Sequence, residues 1–259
     1  MTELVGRTEL VGRVALVTGA AMGIGRAVAE LLAEVGAEIV LVDREPAELP
    51  GAECASVRAD LSRPQDCERA VQEGVAAFGR LDILVNCAGV QRYGDVVSTS
   101  EQTWREVIDT NLGSAFHVSR YAMPQLELGG GGAVVHVASV QSFAAQKGVA
   151  AYAASKGGLI ALTRAMAVDH APTVRVNAVC PGSVDTPMLR NAAELFATDT
   201  QDPAETVAAW GRMHPMGRPA TSREVAECVL FLASPRSSFV TGEAMRVDGG
   251  LLSQLGGTR

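Results

Sequence analysis

Apolar residues recur along this chain in two alternating rhythms. Short runs that are apolar throughout fall at 14–18, 38–43, 55–59, 81–86, 133–139, 174–179 and 244–248, and read as strands, the third being the weakest. Between them, apolar positions return every three or four residues. Such helical stretches cover 23–35, a segment opening after Pro64, 101–126, the segment around Tyr152, 188–196 and 224–233. Strands apolar on both faces, each followed by a helix, predict a parallel sheet covered on both sides. The expected fold class is therefore α/β: a doubly wound, Rossmann-type parallel sheet with ligands at the carboxyl ends of its strands.

The strands and helices follow one another to the end with no linker, so the 259 residues are expected to form one catalytic domain over 12–259. Residues 1–11 are expected to be a loose N-terminal arm. The hexapeptide Thr-Glu-Leu-Val-Gly-Arg occurs at 2–7 and again at 8–13, far too short a repeat for a solenoid. A formal net charge of −7 argues against a nucleic-acid partner. No apolar stretch is long enough to span a bilayer, and no membrane partner is expected. The five scattered cysteines lack metal-ligand spacing and fit a reducing, cytoplasmic setting, and no metal is expected.

Candidate chemistry concentrates where strands end. Gly19, Gly23 and Gly25 lie in a turn between the first strand and first helix, and permit close approach of backbone to a pyrophosphate. The following helix start offers free N–H groups to the same anion. Asp43 ends the second strand, where a carboxylate accepts ribose hydroxyls and repels a 2′-phosphate. Arg44 follows directly and suits that phosphate, but Met22 stands where a basic side chain would help bind it. NAD(H) is therefore expected rather than NADP(H).

Further on, Ser139, Tyr152 and Lys156 form a second group, with Tyr152 and Lys156 one helical turn apart on a shared face. An ammonium so placed is expected to favour the phenolate and lower the tyrosine pKa from about 10. A phenol tuned in this way exchanges a proton with an alcohol or carbonyl oxygen.

These motifs stand in the order found in the short-chain dehydrogenase/reductase family, which the sequence resembles over residues 12–250. The resemblance rests on the turn from Thr18 to Gly25 with Ile24, on Asp60-Leu61, Asn86-Cys87-Ala88-Gly89, Asn111, Ser139, Tyr152-x-x-x-Lys156, and Pro181-Gly182-Ser183-Val184-Asp185-Thr186. It implies that Asp60 contacts the adenine, that Asn86 to Gly89 line the cofactor, and that Thr186 binds the nicotinamide carboxamide. Leu61, Pro181, Gly182 and Val184 are implied cofactor contacts by position in these motifs. It further implies that Lys156 binds the nicotinamide ribose and that Asn111 holds a water in a proton relay from Tyr152. Cys87 replaces the family's usual second asparagine. A homotetramer is implied too, packed through the two long helices with Ala150, Ala151, Ala154, Gly157 and Gly158.

The run 183–214 is expected to close over the substrate as a lid. Gln91, Gln141 and Gln146 follow strand ends or precede the catalytic helix, and as uncharged amides they suit a sugar, polyol or similar hydroxylated substrate. His214 is a further substrate candidate. His136, inside an apolar strand, is read as structural, and His117 and His170 as helix-face residues without a sequence partner. The expected reaction interconverts a secondary alcohol and a ketone. Its rivals are an NADPH-dependent 3-oxoacyl-[acyl-carrier-protein] reductase and a non-catalytic NAD(H)-sensing protein.

Overall fold

The computed structural model describes residues 9–196 and 202–255. Seven parallel strands form one sheet in the order β3-β2-β1-β4-β5-β6-β7. They are β1 (Val14–Thr18), β2 (Glu38–Asp43), β3 (Cys54–Arg58), β4 (Ile83–Asn86), β5 (Gly132–Val137), β6 (Val174–Pro181) and β7 (Ala244–Val247). The order reverses between β1 and β4, which leaves a crevice at the carboxyl ends of those two strands. The strands β1, β4 and β5 are buried at every position, which is why they read as unbroken apolar runs.

One face of the sheet carries α1 (Gly23–Glu34) and α8 (Ser222–Ala233), whose Val28, Leu32, Val225 and Val229 share a core with Ile39, Leu41 and Val85. The other face carries α2 (Pro64–Phe78), α4 (Ser114–Leu128) and α5 (Ala150–His170), with Val71, Met123 and Met166 packed on Leu16, Val40 and Leu84. Thr221 caps α8 by accepting from the Glu224 amide, while the Glu224 carboxylate accepts in return from the Thr221 amide.

The helix expected over 101–126 is a composite. It comprises α3 (Glu101–Ile108), a π-helical turn at Asp109–Gly113, and α4. Its extra residue is inserted around Asn111, a position that turns out to matter.

Two further departures from expectation concern the chain's edges. Leu10, assigned to the loose arm, is only 2 % exposed, and its amide donates to the Val35 carbonyl at 3.0 Å. Residues 9–11 therefore belong to the packed domain, because burying Leu10 outweighs the entropy of fixing it. The first copy of the repeated hexapeptide lies outside the described residues. The second departure is an additional helix, α7 (Pro203–Arg212), after α6 (Pro187–Phe196). Both lie in the expected lid, of which residues 197–201 are outside the described part.

Asp82 ties the amino end of β4 to β1. Its buried carboxylate accepts from the Val14 amide at 2.9 Å, from Arg13 at 2.9 Å and from Arg80 at 2.6 Å. Burial alone would raise its pKa, but these donors together hold it below the usual carboxylate value. Among the described residues no helix is long and apolar enough to cross a membrane.

Candidate active site

A cavity of about 970 Å³ opens at the carboxyl edge of the sheet, over the crevice between β1 and β4. Its inner half is the glycine turn. Gly19 and Gly23 have positive φ, 67° and 58°. A Cβ on Gly19 would sit 2.9 Å from Ala88 Cα, and one on Gly25 would collide with the Gly19 carbonyl oxygen. The turn is thus folded back on itself more tightly than any side chain allows. Met22 occupies the N-cap of α1 and makes no side-chain cap, so the first amides of the helix are left for a ligand.

Beside the turn, the Asp43 carboxylate is oriented by two main-chain amides, Ala21 at 3.0 Å and Glu45 at 3.0 Å. Thr18 locks the next loop in place, its hydroxyl accepting from the amides of Cys87 at 3.0 Å and Ala88 at 3.1 Å. Those bonds are main-chain ones, so the loop is held although Cys87 stands where an asparagine was expected. Gly19, Met22, Gly23, Ile24, Gly25, Asp43, Arg44, Asp60, Leu61, Ala88, Gly89, Pro181, Gly182, Val184 and Thr186 all line the cavity, as expected of cofactor contacts. These residues fit a dinucleotide: an amide-rich turn for the phosphates and a fixed carboxylate for ribose hydroxyls.

Two expected contacts lie elsewhere. Asn86 does not line the cavity. It is 5 % exposed, and its amide donates to Ser119 Oγ at 3.1 Å and faces His136 Nδ1 at 3.2 Å, tying β4 to α4 and β5. It turns inward because successive residues at a strand end point to opposite faces. Asn111 is also behind the wall. Its Oδ1 accepts from the Val90 amide at 2.7 Å, while its Nδ2 donates to the Val90 carbonyl and to Ser155 Oγ, each at 3.0 Å. Both Nδ2 hydrogens are used, and Oδ1 accepts one bond.

The outer half of the cavity holds Ser139, Tyr152 and Lys156, with exposures of 7, 8 and 4 %. Lys156 Nζ donates to the Val137 carbonyl at 2.7 Å and lies 5.7 Å from the Tyr152 ring centroid. The expected lowering of the tyrosine pKa does not appear. Burial pushes Tyr152 up to about 12, against the opposing hydrogen bond from Ser139. Burial likewise pulls Lys156 down to about 8. In a site this dry, desolvation outweighs one neighbouring charge. The neutral phenol is therefore the resting form.

Around these residues stand the substrate candidates. Gln91, Gln141, Gln146 and His214 all line the cavity. Gln141 Nε2 donates to Gln146 Oε1 at 3.0 Å, so one amide is spent holding the other. His214 is 4 % exposed. Its Nε2 accepts from the Ser183 amide at 3.1 Å, so its Nδ1 carries the hydrogen and donates to the Trp210 carbonyl at 3.0 Å. Both ring nitrogens are used, and the imidazole pins α7 to the end of β6. His170, expected without a partner, pairs with Glu127 at 2.9 Å. His136 is fully buried, and burial drives its pKa down to about 3, in line with a structural role.

Phe196 and Trp210, which the sequence did not single out, complete the wall beside Tyr93. Phe196 lies edge-on to Tyr93 with centroids 4.7 Å apart, and Trp210 is edge-on to Phe196 at 6.3 Å. Thr206, Met188 and Met213 join them. The available signal was the spacing of Thr206, Trp210 and Met213 at helical intervals in a segment left without a helix. Among the described residues no three His, Cys, Asp or Glu side chains cluster as metal ligands would.

A dinucleotide cradle set beside a buried phenol and a buried lysine is the equipment of an oxidoreductase that acts on CH–OH groups. Residues 19–252 match the family model described as enoyl-(acyl carrier protein) reductase. The chain belongs to the short-chain dehydrogenase/reductase family, whose members use NAD or NADP. It is 37 % identical over 245 residues to a cyclohexanol dehydrogenase of Acinetobacter sp. (strain SE19), covering 90 % of this chain and 92 % of that one. The structure of Thermoplasma acidophilum aldohexose dehydrogenase in ligand-free form superposes with a TM-score of 0.92 at 37 % identity, covering 98 % of this chain and 99 % of the other. Carveol dehydrogenase from Mycobacterium avium, solved in complex with NAD, gives 0.88 at 32 % identity, covering 95 and 100 %.

Proposed function

We propose that this protein is an NAD(H)-dependent oxidoreductase interconverting a secondary alcohol and a ketone. The observation that carries the reading is Tyr152, a phenol 8 % exposed in the wall of the dinucleotide cavity that Ser139 and Lys156 also line. A bound nicotinamide supplies or takes the hydride. Ser139 holds the substrate oxygen. Tyr152, neutral at rest, gives its proton to the carbonyl oxygen during reduction and takes one from the alcohol during oxidation. Lys156, already close to Tyr152 and anchored on Val137, stabilises the phenolate once the proton has left and binds the nicotinamide ribose. Asn111 positions the Tyr152 helix through Ser155. Relatives named for a cyclohexanol and for carveol support the alcohol reading.

Asp43 favours NAD(H), since its carboxylate is fixed by two amides where a 2′-phosphate would have to sit. The neighbour solved with NAD agrees in direction. A 3-oxoacyl-[acyl-carrier-protein] reductase using NADPH is the second reading, supported by a relative so named from Chlamydia muridarum, 32 % identical over 240 residues. A homotetramer packed through α4 and α5 belongs to the same proposal. Of the small residues on α5, Ala151 is buried and Gly158 packs on Leu112, which leaves Ala150, Ala154 and Gly157 for a partner subunit.

The deciding experiment is Tyr152→Phe. The variant should lose activity by about 10²- to 10⁴-fold while binding NADH as the parent does. Activity within a factor of two of the parent would refute the assignment.

A further inference from the structure

The outer cavity is hydrocarbon in a continuous strip that starts at the reacting phenol. Tyr93 packs in the same apolar cluster as Tyr152. From Tyr93 the strip runs edge-on to Phe196 and then to Trp210. Met188, Leu189 and Met213 continue it. Polar atoms are few along this path.

We infer that the substrate is a predominantly hydrocarbon, ring-bearing secondary alcohol or the matching ketone. The ring lies against Tyr93, Phe196 and Trp210. An open-chain polyol or a sugar fits this strip less well, because hydroxyls laid against aromatic and thioether surface find no partner there. A ring gains on both counts, burying methylenes and offering its edge to aromatic faces. This inference rests on the oxidoreductase reading above and narrows it to a substrate class.

The test compares NAD-dependent oxidation of alicyclic secondary alcohols with that of open-chain polyols and aldohexoses, using the intact protein. We expect kcat/KM for the alicyclic alcohols to exceed that for polyols by about 100-fold, the worth of several buried methylenes. In the double variant with Phe196→Ala and Trp210→Ala, the ratio of ring alcohol to a small acyclic secondary alcohol should fall by about tenfold.

Polyols preferred over ring alcohols, or a ratio unmoved by truncating both aromatic rings, overturns the inference while leaving the oxidoreductase reading intact. Calorimetric titration of the NADH-loaded protein with a ring ketone and with a polyol separates the two further, since it needs no turnover. Ketone binding without any turnover would defeat the oxidoreductase reading alone. Polyol binding in place of ketone binding would defeat this one.

Discussion

Asn111 Nδ2 donates to Ser155 Oγ at 3.0 Å, across 44 positions of sequence, and so ties the π-helical turn to the helix that carries Tyr152 and Lys156. The same amide group clamps both main-chain groups of Val90, at the mouth of the loop after β4. Ser155 in turn donates to the Tyr152 carbonyl at 2.7 Å. One side chain therefore fixes the loop after β4 and the Tyr152 helix relative to each other. The π turn places it there, because the inserted residue rotates Asn111 away from the regular helix face.

Asn111→Ala removes three hydrogen bonds and leaves the Val90 amide and carbonyl unpaired. The expected loss of stability is about 3 kcal/mol, with a fall in kcat/KM as the loop loosens. Asn111→Asp keeps the acceptor for the Val90 amide but sets a buried carboxylate oxygen against the Val90 carbonyl, so it should be no more stable than Asn111→Ala. Urea unfolding of the three proteins checks this, and equal midpoints for all three would show that the clamp contributes nothing.

Lys156 gives a prediction in pH. Its ordinary value is 10.5 and burial lowers it to about 8, so the folded protein disfavours the ammonium relative to the unfolded chain. Between those values the unfolded chain holds a proton that the folded one lacks, and stability rises with pH. Below pH 8 the penalty is fully present. Lys156→Met removes it and should be more stable than the parent by about 2 kcal/mol at neutral pH, after allowing for the lost bond to Val137. The advantage should shrink as pH rises from 8 to 10.5. Thermal unfolding across that range measures it, and a pH-independent difference would contradict the assignment of the buried charge.

On the proposed NAD(H) reading, Asp43→Ser removes the carboxylate that opposes a 2′-phosphate. The NADPH-to-NADH ratio of kcat/KM should rise by roughly 10- to 100-fold, because a like-charge contact is relieved. An unchanged ratio would place the discrimination elsewhere, with Arg44 the next residue to replace.

Gly25→Ala drives a methyl into the Gly19 carbonyl, a main-chain atom with no room to yield. The glycine turn has to open. The expected cost is about 1–3 kcal/mol in stability together with weaker NADH binding. Tm and NADH titration follow both, and a variant matching the parent in each would mean that the turn is looser than its geometry.

Much of this molecule was written in its hydrophobic pattern. A strand buried on both faces must be apolar at every position, so β1, β4 and β5 announce themselves, and their alternation with helices leaves the doubly wound parallel sheet as the fold. The glycines of the first turn, Asp43, and the Tyr152–Lys156 spacing were equally legible, because each answers a local demand: positive φ, a strand end, one turn of helix. What pairs across sequence was not. Asn86 and Asn111 look like site residues in the chain, yet their amides are spent on Ser119, Val90 and Ser155, and only packing decides which way a side chain at a strand end or a π turn points. The ionisation of Tyr152 was misjudged for the same reason, since desolvation depends on everything folded over the residue and a neighbouring lysine is only one part of that. The aromatic wall is the clearest case. Phe196 and Trp210 belong to two separate helices and meet Tyr93 only in the folded chain, where His214 also ties α7 to the end of β6.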